Sequence, residues 1–237
     1  MRFDNYVASI LNISRNKASE LIKSGKVLVD GEICTKVSSE VIETKISLLD
    51  EIYVGRGALK LKSFLGAMKF ELTGKNALDI GSSTGGFMQI LLESGVKSVT
   101  GVDVGTNQLD DSLRSDERVK IYEKTDIREF AKQEQGKFDL ITCDVSFISL
   151  AEILPAIGEL ASANSLIITL FKPQFEVGLG VKRNKKGVVT DMKAINLAMK
   201  KFEVMAANLK FEMITCKECE VKGKEGNAEF FYAFNKR

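Results

Sequence analysis

Apolar positions near the start of the chain recur twice at helical spacing and then change to strict alternation. Phe3, Val7, Ile10 and Leu11 fall on one side of a helix, with the period of an amphipathic segment. A second such side, Ala18, Leu21 and Ile22, follows Ser14, whose hydroxyl can accept from the free N–H groups at a helix start. Gly25 stands where that helix would end in a left-handed residue. The run Lys26-Val27-Leu28-Val29-Asp30-Gly31-Glu32-Ile33 alternates around Asp-Gly, which predicts two strands joined by a two-residue turn. A short strand from Lys45 to Leu49 closes a small α+β unit over residues 1–50.

Residues 51–56 read as a linker, and residues 57–237 switch repeatedly between strand and helix periods. Strands are predicted at Lys75 to Ile80, Ser98 to Val102, Val119 to Glu123, Phe138 to Cys143 and Ser165 to Phe171. Two late ones follow at Phe211 to Cys216 and Glu229 to Asn235, and the turn-rich Lys222 to Asn227 between them suggests an antiparallel pair. Helices are predicted at Gly86 to Ser94, Leu150 to Ala161 and Asp191 to Asn208. Alternation of this kind implies an α/β fold: a Rossmann-like, mostly parallel sheet of about seven strands with helices on both faces.

Composition narrows the function classes. A chain of 237 residues, 44% of them hydrophobic, suffices for one sizeable core plus a small appendage. Its 34 basic and 32 acidic residues give a net charge of +2, so any nucleic-acid surface must come from local clusters. No apolar run approaches the roughly 18 residues that span a bilayer. Met1-Arg2-Phe3-Asp4 lacks the pattern of a secretory signal. A cytoplasmic protein without stable membrane association is expected. Histidine is absent, which excludes Ser-His-Asp and Cys-His catalysis and His-ligated metals. One CxxC, Cys216 and Cys219, does not complete a zinc site, and no metal is expected.

The segment Asp79-Ile80-Gly81-Ser82-Ser83-Thr84-Gly85-Gly86-Phe87 places a glycine turn between a strand and a helix. Such a turn lets a ligand approach the main chain and the free N–H groups of the helix start. Phe87 and Met88 occupy the places where a phosphate-cradling loop needs Lys and Ser or Thr. The glycine spacing also departs from the dinucleotide fingerprint. S-adenosylmethionine carries no pyrophosphate and tolerates this looser pattern. Asp103, followed by Val104, ends the next strand, where a carboxylate can accept from both ribose hydroxyls. Asp126 and Ile127 end the third, at the expected adenine edge. The plainer alternative has Asp79 and Asp103 merely capping turns or helices.

Two motifs carry a family resemblance. They are Asp144-Val145-Ser146-Phe147-Ile148-Ser149-Leu150 and Phe171-Lys172-Pro173-Gln174-Phe175-Glu176-Val177-Gly178. With them stand Gly55-Arg56-Gly57-Ala58-Leu59-Lys60-Leu61, Gly187-Val188-Val189 and Gly226-Asn227-Ala228-Glu229-Phe230-Phe231. Over nearly its whole length the chain resembles the TlyA family of ribosomal-RNA 2′-O-methyltransferases, also called haemolysins, which are similar to FtsJ-type RNA ribose methyltransferases. The segments Met1 to Asp4 and Ser14 to Ala18 resemble an S4-type RNA-binding module. The resemblance implies a catalytic tetrad at Lys60, Asp144, Lys172 and Glu229, with Lys172 beside the 2′-OH, Lys60 and Glu229 orienting it, and Asp144 beside the methyl group. It implies S-adenosylmethionine as cofactor, and as partner 23S rRNA in the large (50S) subunit, at cytidine 1920 of helix 69. Chain length matches the shorter subtype, implied to modify the large subunit only. Gly55, where the family usually has Ser, and Met88, where Thr is common, depart from the pattern.

Charge over residues 1–50 cancels, seven basic against seven acidic. Arg2, Arg15, Lys17, Lys23 and Lys26 nevertheless gather near the second helix, and Lys182, Arg183, Lys185 and Lys186 form a second cluster. With Arg56 they are the candidate phosphate contacts. An ordinary solvated helix face accounts equally well for the first cluster without the resemblance. Two other functions compete with methyl transfer: a membrane-active haemolysin, and a non-catalytic RNA-binding assembly factor.

Overall fold

The computed structural model describes residues 1–40, 44–48, 53–133 and 136–237. The chain divides into two compact units, residues 1–52 and 53–237. In the first, α1 (Phe3–Leu11) and α2 (Arg15–Lys23) precede β1 (Val27–Val29), β2 (Glu32–Ile33) and β3 (Ile46–Leu48). Ser14 Oγ accepts the Lys17 N–H at 3.2 Å and caps α2. β1 and β2 pair antiparallel with Val29 opposite Glu32. Asp30 and Gly31 between them have φ of +51° and +92°, as a two-residue hairpin turn requires. Phe3, Val7, Ala18, Leu21, Ile22 and Val27 make the core. Ile10, grouped with that apolar side by spacing, is instead 53% exposed. The predicted end of the third strand at Leu49, and residues 51 and 52 of the linker, lie outside the described residues.

The second unit opens with α3 (Arg56–Met68), so Arg56 is helical rather than part of a linker. There follow β4 (Asn76–Ile80), α4 (Gly86–Glu93), β5 (Ser98–Val102), α5 (Asp111–Arg114), β6 (Val119–Tyr122) and α6 (Ile127–Gln133). Next are β7 (Phe138–Cys143), α7 (Leu150–Leu160), β8 (Ala161–Phe171), α8 (Pro173–Glu176), α9 (Met192–Asn208), β9 (Phe211–Glu218) and β10 (Phe230–Lys236). Seven strands form one sheet in the order β6-β5-β4-β7-β8-β10-β9. β6, β5, β4, β7 and β8 run parallel, and β10 is antiparallel to both β8 and β9.

Side chains leave a strand alternately to its two faces, and the core divides accordingly. Leu78, Ile80, Ile141 and Cys143 pack with α6, α7 and α9 residues such as Phe130, Ile153 and Phe202. Ala77, Val99, Leu140 and Ile168 pack with α3 and α4 residues such as Leu61, Phe64 and Leu91. The order reverses direction between β4 and β7, which places a crevice at the C-terminal ends of those two strands.

Candidate active site

At that crevice the loops after β4 and β7 nearly touch. Gly81 has φ +80°, and a Cβ added there would lie 2.8 Å from the Asp144 carbonyl oxygen. Only glycine permits both the left-handed backbone and the close approach. Above the loops lies a cavity of about 430 Å³, within the size range of small-ligand sites. Gly81, Ser83, Asp103 and Val104 line it, as do Asp126, Ile127 and Asp144 across from them. Asp103 Oδ2 accepts the Ser83 N–H at 2.8 Å and Oδ1 accepts the Gly105 N–H at 2.6 Å. Each oxygen retains acceptor capacity for a further donor. The Asp126 carboxylate is held by Arg128, through its backbone N–H at 2.8 Å and its guanidinium at 2.6 Å. That guanidinium keeps Asp126 below the usual carboxylate range.

Ile80 also lines this cavity, whereas Asp79, Ser82, Gly85, Gly86 and Phe87 lie outside the lining. Ser82 Oγ donates to the Asp79 carbonyl at 3.0 Å. Gly85 precedes α4 with φ +93° and lies against Leu109 and Leu113. A Cβ on Gly86 would come within 2.8 Å of Ala58 N, so this glycine lets α4 meet α3. Phe87 is buried and stacks 6.1 Å from Phe231. Asp79 follows the alternation to the face of Ala77, opposite Thr142 on β7. Its Oδ1 accepts the Thr142 hydroxyl at 2.7 Å, and its Oδ2 is buried with no hydrogen-bond partner among the described residues. Burial, with the charges of Asp144 and Asp103 adding to it, pushes its pKa up to about 7.

Four charged residues sit at the same edge. Asp144 follows β7 and Lys172 follows β8; Glu229 precedes β10, which pairs Phe230 with Phe171 and so brings Glu229 beside Lys172 in register. Lys60 comes from α3. They form two ion pairs: Lys60 Nζ to Glu229 Oε2 at 2.6 Å, and Lys172 Nζ to Asp144 Oδ1 at 2.5 Å. Lys172 also donates to Ser146 Oγ at 3.0 Å. Lys60, Lys172 and Glu229 are at most 7% exposed. Burying a charge is costly unless it is paired, and each of the four has its counter-ion. Gly223 leaves room for one of them, because a Cβ there would stand 2.6 Å from Glu229 Oε1.

A second, larger cavity of about 990 Å³ adjoins the first, and Ser146, Phe147 and Ile148 line both. Lys60, Lys172 and Glu229 open into it, whereas Asp144 lines the smaller one. The Lys172–Asp144 pair therefore spans the boundary. Phe147 stands on that boundary 91% exposed, with φ +66° and its ring 5.1 Å from Phe175. A left-handed backbone on a bulky residue is strained, and here it holds an aromatic ring out in solvent.

Comparison with known proteins agrees with this geometry. Residues 53–236 match the FtsJ-like methyltransferase family and residues 1–42 the S4 domain. The 23S rRNA (cytidine-2′-O)-methyltransferase TlyA of Campylobacter jejuni is 49% identical over 100% of both chains. The chain belongs to the TlyA family of FtsJ-like methyltransferases. The 16S/23S rRNA (cytidine-2′-O)-methyltransferase TlyA of Mycobacterium tuberculosis is 39% identical over 92% of this chain and 83% of its own. A solved structure described as a candidate hemolysin from Streptococcus thermophilus is 32% identical with a TM-score of 0.74, covering 100% of this chain and 88% of that one. No described helix is long and apolar enough to cross a membrane.

The basic residues of this TlyA-family chain divide by their partners. Arg56, Arg183 and Lys186 line the larger cavity, joined by Lys224, which sequence reasoning did not single out. Lys182 and Lys185 are exposed outside that lining. Arg183 is set apart, since its guanidinium donates to the Gln174, Gly178, Leu179 and Val181 carbonyls at 3.0–3.4 Å. In the S4 domain, Arg15 and Arg2 clasp the buried Asp4 at 2.8 and 3.2 Å, and Lys17 pairs with Glu20 at 3.6 Å. Lys23 is exposed on α2 and Lys26 half-buried beyond it. Ser146 and Phe147 were also missed as site residues. They lie inside a quoted motif, yet nothing in their spacing marks one as a lysine anchor and the other as an exposed ring.

Proposed function

We propose that this protein transfers a methyl group from S-adenosylmethionine to the ribose 2′-OH of a cytidine in 23S rRNA. The observation that carries the reading is the buried Lys172–Asp144 pair at the boundary of two adjoining cavities. One cavity has the size and donor set for an adenosine ligand, with Asp103 for the ribose hydroxyls, Asp126 and Ile127 at the adenine edge, and Gly81 and Ser83 along the main chain. The bound cofactor supplies an electrophilic methyl group on a sulfonium.

The chain's own residues do the rest. A ribose hydroxyl is a weak nucleophile, so its proton must be taken or its developing charge held. Lys172 is the group for that task, with Asp144 and Ser146 fixing Nζ from the cofactor side. Lys60 and Glu229, paired with each other, flank the 2′-OH and set its orientation. Phe147 offers a face on which an unstacked base can lie, as enzymes acting on a single nucleotide require. Arg56, Lys186 and Lys224 attract the phosphates on either side. The S4 domain supplies sequence-independent backbone contacts through Lys17, Lys23 and Lys26. Closer identity to the relative named for 23S rRNA than to the one named for 16S/23S rRNA supports the large (50S) subunit as partner. Within it we assign cytidine 1920 of helix 69 as the target.

Reverse-transcription mapping of 2′-O-methyl sites, with and without the protein, tests the reading on large subunits lacking the modification. One protein-dependent stop at the target cytidine is expected. Lys172→Ala is expected to lose transfer while still binding S-adenosylhomocysteine in calorimetry. Normal turnover by that variant would remove Lys172 from the chemistry.

A further inference from the structure

A basic run such as Lys182 to Lys186 invites a uniform assignment as a phosphate clamp. The geometry points to a different task for one member: Arg183 is a positioning residue that sets the shape of the larger cavity from its wall, by holding the neighbouring loop rather than a phosphate. This rests on the reading of that cavity as the acceptor site.

Residues 183–189 form a tight hairpin. Arg183 and Val189 make an antiparallel bridge, Asn184 N–H donates to the Val188 carbonyl at 2.9 Å, and Asn184 Oδ1 accepts from the Lys186 and Val188 N–H groups at 2.8 and 3.0 Å. From the hairpin the half-exposed Arg183 side chain folds back onto the chain segment before it. Its Nη1 donates to the Gly178 and Leu179 carbonyls at 3.1 and 3.3 Å, and its Nη2 to the Gln174 and Gly178 carbonyls at 3.0 and 3.1 Å. A planar fork with several fixed donors can gather carbonyls in this way, whereas the compact ammonium of lysine cannot.

The anchored segment carries the cavity's working parts. It begins beside Lys172 and contains Phe175, whose ring rests on Phe147. Two more side chains continue the lacing. Glu176 accepts the Ser149 hydroxyl at 2.6 Å and the Leu150 N–H at 2.8 Å, tying the segment to the loop that bears Asp144 and Ser146. Buried Asn227 accepts the Val189 N–H at 3.0 Å, tying the hairpin to the turn that bears Glu229. Four loops, and with them three of the four charged groups, are thus held in register by Glu176, Arg183 and Asn227. A phosphate contact would instead leave Arg183's donors facing solvent.

The test compares Arg183→Lys, Arg183→Ala and Lys186→Ala in the full chain on large subunits lacking the modification. We expect kcat to fall about tenfold or more in both Arg183 variants, toward the roughly hundredfold loss that a misplacement of about an ångström can cause. We expect KM to change little and S-adenosylhomocysteine to bind as before. The dependence of log Kd for the subunit on log salt should stay parallel to that of the parent, whereas Lys186→Ala should lower the slope by about 0.7 to 0.9, the loss of one phosphate contact. Without any RNA, amides 174–181 should exchange hydrogen faster in Arg183→Lys. Full kcat in Arg183→Lys, with weaker binding and a shallower salt slope in Arg183→Ala, would overturn the proposal in favour of a phosphate contact. Loss of cofactor binding with global unfolding in both Arg183 variants would overturn it too, since the residue would then hold the domain rather than the cavity. If the parent protein transfers no methyl group to RNA, the acceptor reading fails, while the exchange measurement separately reports whether Arg183 anchors the loops.

Discussion

Asp79 carries a carboxyl that is 1% exposed, accepts one hydroxyl, and sits with Asp103 and Asp144 near enough to raise its pKa to about 7. In the unfolded chain it would ionise near 3.8, as an ordinary aspartate does. As pH rises, the unfolded chain therefore releases this proton first while the folded protein keeps it until near neutrality. The unfolded state gains, and stability attributable to Asp79 is present at acidic pH and lost progressively from about pH 4 through about pH 7. A displacement of about three units corresponds to about 4 kcal/mol across the whole titration, of which about 3 kcal/mol falls between pH 5 and 8. Asp79→Asn removes the titration and keeps an oxygen for the Thr142 hydroxyl. Urea unfolding of both proteins without cofactor, at half-unit steps of pH, isolates the effect in the difference between the two curves. The variant's stability should fall less steeply, by up to about 1.4 kcal/mol per pH unit between pH 5 and 7. Parallel curves would show that Asp79 is ionised in the folded protein at acidic pH and refute the reasoning.

Two further outcomes follow from the geometry. Asp103→Ala removes the acceptor of the Ser83 and Gly105 N–H groups and, on the proposed reading, that of the cofactor ribose. Calorimetry should record a loss of about 2 kcal/mol or more in S-adenosylhomocysteine affinity, the scale of hydrogen bonds to a charged group. Gly223→Ala places a methyl group against Glu229 Oε1 and should displace that carboxylate from Lys60. Methyl transfer should fall at least about tenfold while cofactor affinity is unchanged, and an unaltered kcat would show that Glu229 does not need its observed position.

The parts of the fold written in short-range pattern were legible. Asp30-Gly31 between alternating residues specified its hairpin because only a left-handed pair closes that turn. The strand–helix alternation similarly specified the sheet, because parallel neighbours require crossovers. Contacts between distant segments were not legible from spacing. Lys60 and Glu229 are 169 residues apart in sequence and meet only because β10 begins where β8 ends; family resemblance, not pattern, brought them together in advance. Asp79 ends a strand before a glycine turn, and its place in the strand's alternation turns it toward Thr142. Arg183 read as one of four equivalent cations because composition carries no information about the hairpin from which it folds back.

The strand order makes both the far edge of the sheet and one buried ion pair depend on a single strand. β10 follows β9 in sequence, yet it lies inside the sheet, between β8 and β9. Among the described residues β9 pairs with no other strand, so it joins the sheet only through β10. The same strand brings Glu229, which precedes it, to Lys60. Residues up to the end of β9 include Gly81, Asp103 and Asp144 but not Glu229, the counter-ion of Lys60. A chain lacking Glu229 and β10 would keep a buried lysine without its carboxylate and a sheet with an open slot.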